Sequence, residues 1–480
     1  MRSMKIVHQE KSSALADGVD QSGPGRILLG VFETLDRAEI PYCVLHGYER
    51  YPQRITSDVD CMISASVHPG QLAALFHESR GISIDADLVC FREYYFVLAG
   101  RNADLSPSYL VLDLSIDYEL GGLRFYNGRE VIESRRRHSR FWIPAPPVEF
   151  GCYLVRKIAK AQLNDTQGRR LSTVYAQDPT GCQQHAARFW GARNTALIVS
   201  AASSGDWTPV RRCLSSLGAE MRMRAMLREP RRSIGNWSRR MGHQIRSGLW
   251  PEGGLSVIFL GPDGAGKSSV IKLVRQDLAG AFARTTCHYF APGLLSLFRR
   301  PSGPTLPHAA APRSRMMSVM LALCYWLVYY LVYYRLAIHF ALARSTLVLH
   351  DRHLVDALVD PKRYHYGGPT WLLRLIWRFT PKPDLVMLLD APPGVIQARK
   401  QDVPIEETAR QRGAYLSLMK TMNNGHVVDA ARPLEHVVRD VSDIILRHLA
   451  MRIARRLGLE QNRDAGHNPV VHSQLRNEAP

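Results

Sequence analysis

Residues 255–268 read LSVIFLGPDGAGKS, an apolar run that passes straight into a GxxxxGK[ST] pattern from Gly261 to Ser268. An uninterrupted apolar stretch suits a central parallel strand covered on both faces. The glycines that follow let backbone N–H groups wrap a phosphate chain at a helix N-terminus, where the helix dipole favours anions. The pattern predicts strand, loop and helix in that order, and ATP as ligand. Its nucleotide-binding residues are Gly261, Asp263, Gly264, Ala265, Gly266, Lys267, Ser268 and Ser269. Lys267 is expected to reach the β and γ phosphates catalytically, and the Ser268 hydroxyl to take a Mg²⁺ position. Asp263 is not needed for the donor phosphates, so it is expected to accept hydrogen bonds from an acceptor hydroxyl.

Downstream, strand-like and helix-like segments alternate. Helices are predicted over 268–280, 393–401 and 433–448, and strands over 346–350, 384–389 and 426–429. Such alternation predicts an α/β unit with a parallel sheet. His350-Asp351-Arg352-His353 closes an apolar strand, and open parallel sheets bind ligands at strand C-termini. There Asp351 is expected to hold metal or take a proton, and Arg352 to clamp a phosphate bidentately. The alternative is a structural ion pair. After Asp390-Ala-Pro-Pro come Arg399, Lys400, Arg410 and Arg412, then Tyr415. They predict a mobile basic lid whose arginines, Arg399 catalytically among them, neutralise charge during phosphoryl transfer. The alternative here is ordinary surface charge.

Over about 255–450 the chain resembles the thymidylate kinase family of P-loop nucleoside monophosphate kinases. GPDGAGKSS with aspartate third, DRH in place of a DR-aromatic motif, PDLVMLLDAPP and the basic lid carry the resemblance. It implies that Asp263 contacts the acceptor's sugar hydroxyl, and that Asp351 and Arg352 lie by the transferring phosphates. It implies ATP and Mg²⁺, with a nucleoside monophosphate (dTMP among them) as acceptor; a phosphosugar is the other acceptor expected. It does not extend to His288–Arg315, which has no counterparts of the family's thymine-reading residues.

Met316 to Tyr334 is 19 residues without a charge, between Arg315 and Arg335. That is the length of a membrane span. A span here would put consecutive core elements, the phosphate loop and the Asp351 strand, on opposite sides of a bilayer. A helix in the core or at a subunit contact is expected instead, and the resemblance implies a homodimer interface.

The N-terminal part has a different pattern. A helix from Arg26 precedes strands at Tyr42–Leu45, Val59–Ile63, 88–98 and 109–115, and helical pattern runs from Val148 to about Trp190. Leu45-His46-Gly47 ends a strand, and Asp58-Val59-Asp60 follows after residues 48–57. Carboxylates at i and i+2 on a strand share a face. With Asp113 as third ligand, or Asp117 in second place, they would gather Mg²⁺ around a triphosphate. The alternative is an aspartate pair facing water or arginines. Residues 26–190 resemble the nucleotidyltransferase superfamily of DNA polymerase β type, with Tyr48 where a small residue lets the triphosphate approach.

The 480 residues carry a formal charge of +19, which favours anionic ligands. Eight cysteines without a CxxC pair fit reduced thiols and a cytoplasmic location. The first residues lack the apolar stretch of a signal peptide. The expected organisation is a disordered 1–25, an α+β nucleotidyltransferase-like domain at 26–204, a basic helical linker at 205–252, a P-loop domain at 253–459 and a disordered 460–480. Ten arginines from Arg211 to Arg246 mark the linker, which could instead contact membrane or nucleic acid. Two other functions fit: a nucleotidyltransferase regulated by ATP at the P-loop, and a non-enzymatic, nucleotide-dependent binding module.

Overall fold

The computed structural model describes residues 23–230, 235, 253–289, 313–401 and 403–459. The expected disorder at 1–22 and 460–480, part of the connector (231–234 and 236–252) and residues 290–312 lie outside the described residues.

The N-terminal unit opens with helix α1 (Gly23–Arg37), three residues before the expected start. Five strands follow around helix α2 (Pro69–Glu78): β1 (Tyr42–Val44), β2 (Val59–Ile63), β3 (Asp87–Arg92), β4 (Tyr95–Arg101) and β5 (Pro107–Ser115). They form one mixed sheet in the order β1-β2-β5-β4-β3. β2 and β5 run parallel, and every other neighbouring pair is antiparallel. The single strand expected over 88–98 is a hairpin, because the chain turns at Glu93, whose φ is +48. Two short hairpins, β6 (Asp117–Leu120) with β7 (Leu123–Asn127) and β8 (Arg136–His138) with β9 (Phe141–Ile143), flank helix α3 (Gly128–Glu133).

Among the described residues six further helices belong to this unit: α4 (Pro146–Ala159), α5 (Asp165–Tyr175), α6 (Pro179–Ala187), α7 (Ala192–Ser204), α8 (Thr208–Arg212) and α9 (Leu214–Arg228). The last two fall inside the stretch expected to be a solvated linker. α9 instead buries Leu217, Met221 and Ala225, at i+4 spacing, in one core with Trp190 and Trp207. Its arginines occupy the other face.

The C-terminal unit contains β10 (Leu255–Leu260), α10 (Lys267–Asp277), β11 (Arg284–Tyr289), α11 (Arg315–Leu327), α12 (His339–Ala343), β12 (Thr346–Asp351), α13 (Asp356–Val359), α14 (Thr370–Phe379), β13 (Leu385–Asp390), α15 (Pro393–Arg399), α16 (Ile405–Met419), β14 (Gly425–Asp429) and α17 (Leu434–Leu457). Its five strands are all parallel, ordered β11-β12-β10-β13-β14. This is the expected parallel α/β sheet and fits a P-loop kinase fold. All six residues of β10 are buried, and chain order diverges to either side of it, which opens a crevice above its C-terminal end.

The apolar run forms α11, a π-helical stretch (Val328–Ile338) and α12. Ala322 packs with Leu372, Leu373 and Ile376 of α14, and Ile338 and Leu342 pack on Val348 of β12. Among the described residues no helix is long and apolar enough to cross a membrane.

The two units share packing. Val437, Val441, Ile445 and Leu449 of α17 lie in one buried cluster with Val257 and Phe259 of β10 and with Val89, Val97 and Val111 of the N-terminal sheet. Ile453, near the end of α17, belongs to the N-terminal core. Arg101 reaches Asp443 at 2.5 Å, and the Tyr109 hydroxyl donates to the Asp277 carbonyl at 2.9 Å. α17 is thus covered by a sheet from each unit.

Candidate active site

The loop between β10 and α10 turns on three glycines with positive φ: Gly261 (+141), Gly264 (+90) and Gly266 (+88). A side chain is strained in that region. At Gly261 a Cβ would also stand 2.7 Å from the Leu389 carbonyl oxygen. Lys267 is buried and folds back over the loop. Its Nζ donates to the carbonyls of Gly261 at 2.6 Å and Pro262 at 3.0 Å, and lies 3.9 Å from Asp263 Oδ1. Burial pulls the Lys267 pKa down, against the attraction of Asp263 and Asp356.

Ser268 Oγ donates to Asp351 Oδ2 at 2.9 Å, so the two expected metal ligands converge from α10 and β12. A hydroxyl and a carboxylate beside a phosphate loop suit Mg²⁺, which takes one or two protein oxygens and completes its shell with phosphate and water. Among the described residues no group of three His, Cys, Asp or Glu side chains is arranged to hold a metal alone.

Asp263 is the meeting point of three cations. Arg352 Nη2 donates to its Oδ1 at 2.8 Å, Arg363 Nη1 donates to its Oδ2, and Lys267 stands behind them. Burial works to raise the Asp263 pKa, but these cations hold it below the usual carboxylate range. Arg352 has a φ of +82; a non-glycine residue in this region stores strain, and such strain clusters at functional sites. The backbone after it is pinned by Asp356, which is buried and accepts from His353 N at 2.8 Å and from the Tyr415 hydroxyl at 2.7 Å. Burial raises the Asp356 pKa. Gln411 donates to Asp360 at 3.0 Å. Together these groups enclose a cavity of about 10 Å³, roughly one water in size.

Asp356, Asp360, Arg363, Tyr364 and Gln411 line this cavity and were not foreseen. A signal for the acids existed: between Asp277 and Asp384 the only acidic residues are Asp351, Asp356 and Asp360.

On the other side of the loop lies a cavity of about 240 Å³, whose walls include Ala265, Gly266, Ser269, Arg399, Arg432 and Val437. Arg399 donates to the Ala430 carbonyl at 2.9 Å. The remaining arginines of the expected lid are engaged elsewhere. Arg412 forms a bidentate pair with Asp390 at 2.7 and 2.9 Å, and Arg410 bonds Glu407 and, at 3.1 Å, the Val359 carbonyl. Both stand on the 15-residue helix α16, with the acids at 390 and 407 within their reach. An open charged loop does not form there.

In the N-terminal sheet, Asp60 of β2 sits directly across from Asp113 of β5 in parallel register. Asp113 is pushed up to about 6, first by desolvation and then by the Asp60 and Asp58 carboxylates. The three aspartates therefore gather at one place, but Arg156 Nη1 donates to Asp60 Oδ2 at 2.6 Å. The expected Mg²⁺ set of Asp58, Asp60 and Asp113 is accordingly not a metal-holding group among the described residues, since a guanidinium takes the position beside Asp60. Asp117 accepts from Gly128 N at 2.9 Å and pairs with Arg124, which ties it to a turn. Tyr48 is buried, its hydroxyl donating to Glu149 at 2.5 Å.

Residues 259–441 match the family model for thymidylate kinase. The chain is similar to the thymidylate kinase of Xanthomonas euvesicatoria pv. vesicatoria (strain 85-10), with 30% identity over 42% of this chain and 88% of the relative. It is also similar to the thymidylate kinases of Xanthomonas oryzae pv. oryzae (strain PXO99A), at 29%, and Xanthomonas campestris pv. campestris (strain B100), at 28%. In both cases the match covers 42% of this chain and 87% of the relative.

Proposed function

The chain belongs to the thymidylate kinase family through residues 259–441, and from this premise we propose that it transfers the γ-phosphoryl of ATP to a nucleoside monophosphate or a related phosphorylated acceptor. The observation that carries this reading is the placement of Asp263 between Lys267, on the donor side, and Arg352 with Arg363, on the acceptor side. An acceptor phosphate brings its own anionic oxygen, so no strong base is required. That oxygen forms the new bond to the γ phosphorus as the bond to the β–γ bridging oxygen breaks, and ADP leaves.

Lys267 releases its two loop carbonyls to meet the β and γ phosphates. Arg352 and Arg363 draw the acceptor phosphate into line and offset charge in the transition state, where positioning and electrostatics supply most of the catalysis. Asp263 keeps both guanidiniums oriented and takes the acceptor hydroxyl. Ser268 and Asp351 would hold Mg²⁺, which would supply Lewis-acid neutralisation of the phosphate oxygens when bound. Arg399, on the wall of the 240 Å³ cavity, stacks on the nucleotide base with its planar guanidinium. The acceptor class includes dTMP and phosphosugars.

A second reading, nucleotidyl transfer by the N-terminal unit, rests only on Asp60 and Asp113 standing side by side on adjacent strands. It requires Arg156 to leave Asp60 so that a divalent cation can enter. Isothermal titration with Mn²⁺, comparing the protein with its Asp60→Asn variant, tests it: no binding difference between the two removes that reading.

The kinase reading is tested with ATP, Mg²⁺ and a panel of nucleoside monophosphates and phosphosugars, reading ADP. Acceptor-dependent ADP formation that Lys267→Ala abolishes supports it. ATP binding without turnover on any acceptor overturns it.

A further inference from the structure

The two cavities beside the phosphate loop differ in kind. The one of about 240 Å³ has apolar walls at Ala265, Val270, Leu434 and Val437, beside Arg399 and Arg432. It gives a flat ring both apolar area and a guanidinium to stack on. The one of about 10 Å³ is walled by the carboxylates of Asp263, Asp356 and Asp360, the Gln411 amide and the guanidiniums of Arg352 and Arg363. Among the described residues, Pro262 is the only aliphatic side chain lining it. Its two tyrosine rings are taken up by apolar packing, Tyr415 with Val355 and Val359, and Tyr364 against the cluster that holds Leu354 and Ala357.

The back of the small cavity is fixed. Asp356 is held by the His353 N–H and the Tyr415 hydroxyl. Asp360 accepts from the Gln411 amide at 3.0 Å and from the Arg363 N–H at 3.2 Å. Asp356, Asp360 and Gln411 are 4%, 4% and 5% exposed. The Arg352 and Arg363 side chains keep 28% and 22% of their surface and form the solvent side. An incoming molecule therefore meets two guanidiniums first, and past them there is room for a group about the size of a water.

We propose that the acceptor is a phosphorylated sugar or polyol, with its phosphate on Arg352 and Arg363 and a neighbouring hydroxyl in this cavity. The proposal rests on the kinase reading above and narrows its acceptor. A hydroxyl has the right chemistry for the wall: it donates to a carboxylate and accepts from an amide or guanidinium N–H. A thymine edge sets two carbonyl oxygens around one N–H, so its oxygens meet the lone pairs of Asp263 and Asp360. A purine edge carries donors, but its ring needs a slot that the fixed back wall does not leave. The acceptor phosphate oxygen bonds to the γ phosphorus, the bond to the β–γ bridging oxygen breaks, and the products are ADP and a sugar diphosphate.

The test measures ADP formation by the full chain with ATP and Mg²⁺ on two panels. One holds dTMP, UMP, GMP and AMP; the other holds hexose phosphates, pentose phosphates and glycerol phosphate. The best phosphosugar is then compared with its unphosphorylated sugar and with its deoxy analogue lacking the hydroxyl beside the phosphoester. The expected result is a kcat/KM at least about tenfold higher on one phosphosugar than on any nucleotide, and a loss of about tenfold or more in the deoxy analogue, because a site built around a hydroxyl is left unpaired without it. Asp360→Asn, checked by circular dichroism, should raise the KM for the phosphosugar about tenfold and leave the KM for ATP unchanged. Faster turnover on a nucleoside monophosphate overturns the proposal and leaves the kinase reading standing. Equal turnover of the deoxy analogue or of the unphosphorylated sugar overturns it too, as does a parallel rise of both KM values in Asp360→Asn. ATP binding without turnover on either panel overturns the kinase reading and this proposal with it.

Discussion

Asp263 and Arg352 stand on different elements, the phosphate loop and the end of β12, and are joined by a hydrogen bond of 2.8 Å from Nη2 to Oδ1. Arg363 takes the other carboxylate oxygen. One carboxylate therefore orients both cations on the acceptor side while remaining tied to the loop that holds the donor.

Asp263→Asn keeps the shape of this node and removes its charge. Two guanidiniums then face each other without an anion, so the acceptor kcat/KM is expected to fall about tenfold or more, since a lost charge-assisted contact is worth roughly 1.5–3 kcal/mol. ATP affinity should change little, because backbone N–H groups and Lys267 carry it. The Asp263 pKa is depressed in the fold, so its stabilising contribution is complete above the unfolded value of about 3.9 and is lost as pH falls through the folded one. The kinetic loss should accordingly be the same at every pH between about 5 and 8, as read from kcat/KM profiles of both proteins.

Ser268→Ala and Asp351→Asn remove the two ends of one hydrogen bond that also frames the Mg²⁺ position. Each is expected to raise the Mg²⁺ concentration for half-maximal ADP formation by about tenfold. The double variant should fall short of the product, because neighbours in one network do not act additively. A Mg²⁺ titration of initial rates reads all three.

Asp113 shows the opposite titration. Its folded pKa is about 6, above the unfolded value near 3.9. The fold favours the protonated acid, so this contribution to stability is full below about pH 4 and is lost as pH rises through 6. Asn imitates the protonated form. Asp113→Asn is thus expected to stabilise the protein at pH 7.5 by about 1 kcal/mol, a value kept small because the side chain meets solvent. The difference should vanish near pH 4. Urea denaturation across this range measures it.

Ile453→Ala tests the shared core. Ile453 lies on α17, at the end of the C-terminal unit, yet is buried among N-terminal residues. A buried Ile→Ala change costs about 2–5 kcal/mol. Here the loss should appear as faster amide hydrogen exchange in β3 and β4, more than 350 residues earlier in sequence. Loss confined to α17 would mean that the two units do not depend on each other.

Sequence alone determined whatever short-range chemistry specifies. LSVIFL suits a doubly covered strand, and the glycines at 261, 264 and 266 fit a loop with positive φ. Lys267, Ser268, Asp351 and Arg352 were legible because strand ends of a parallel sheet converge. Asp60 and Asp113 were paired correctly for a similar reason, as strand periodicity places same-face residues in line. Tertiary structure decided what depends on distant side chains meeting. Arg156 reaching Asp60, Asp390 capturing Arg412 and Arg363 completing the Asp263 node leave no local pattern, since an arginine's spacing does not say which acid lies within its reach. The fate of 205–228 and the sandwiching of α17 followed the same rule. A helix with two apolar stripes has two faces to bury, and only the folded chain says what covers each.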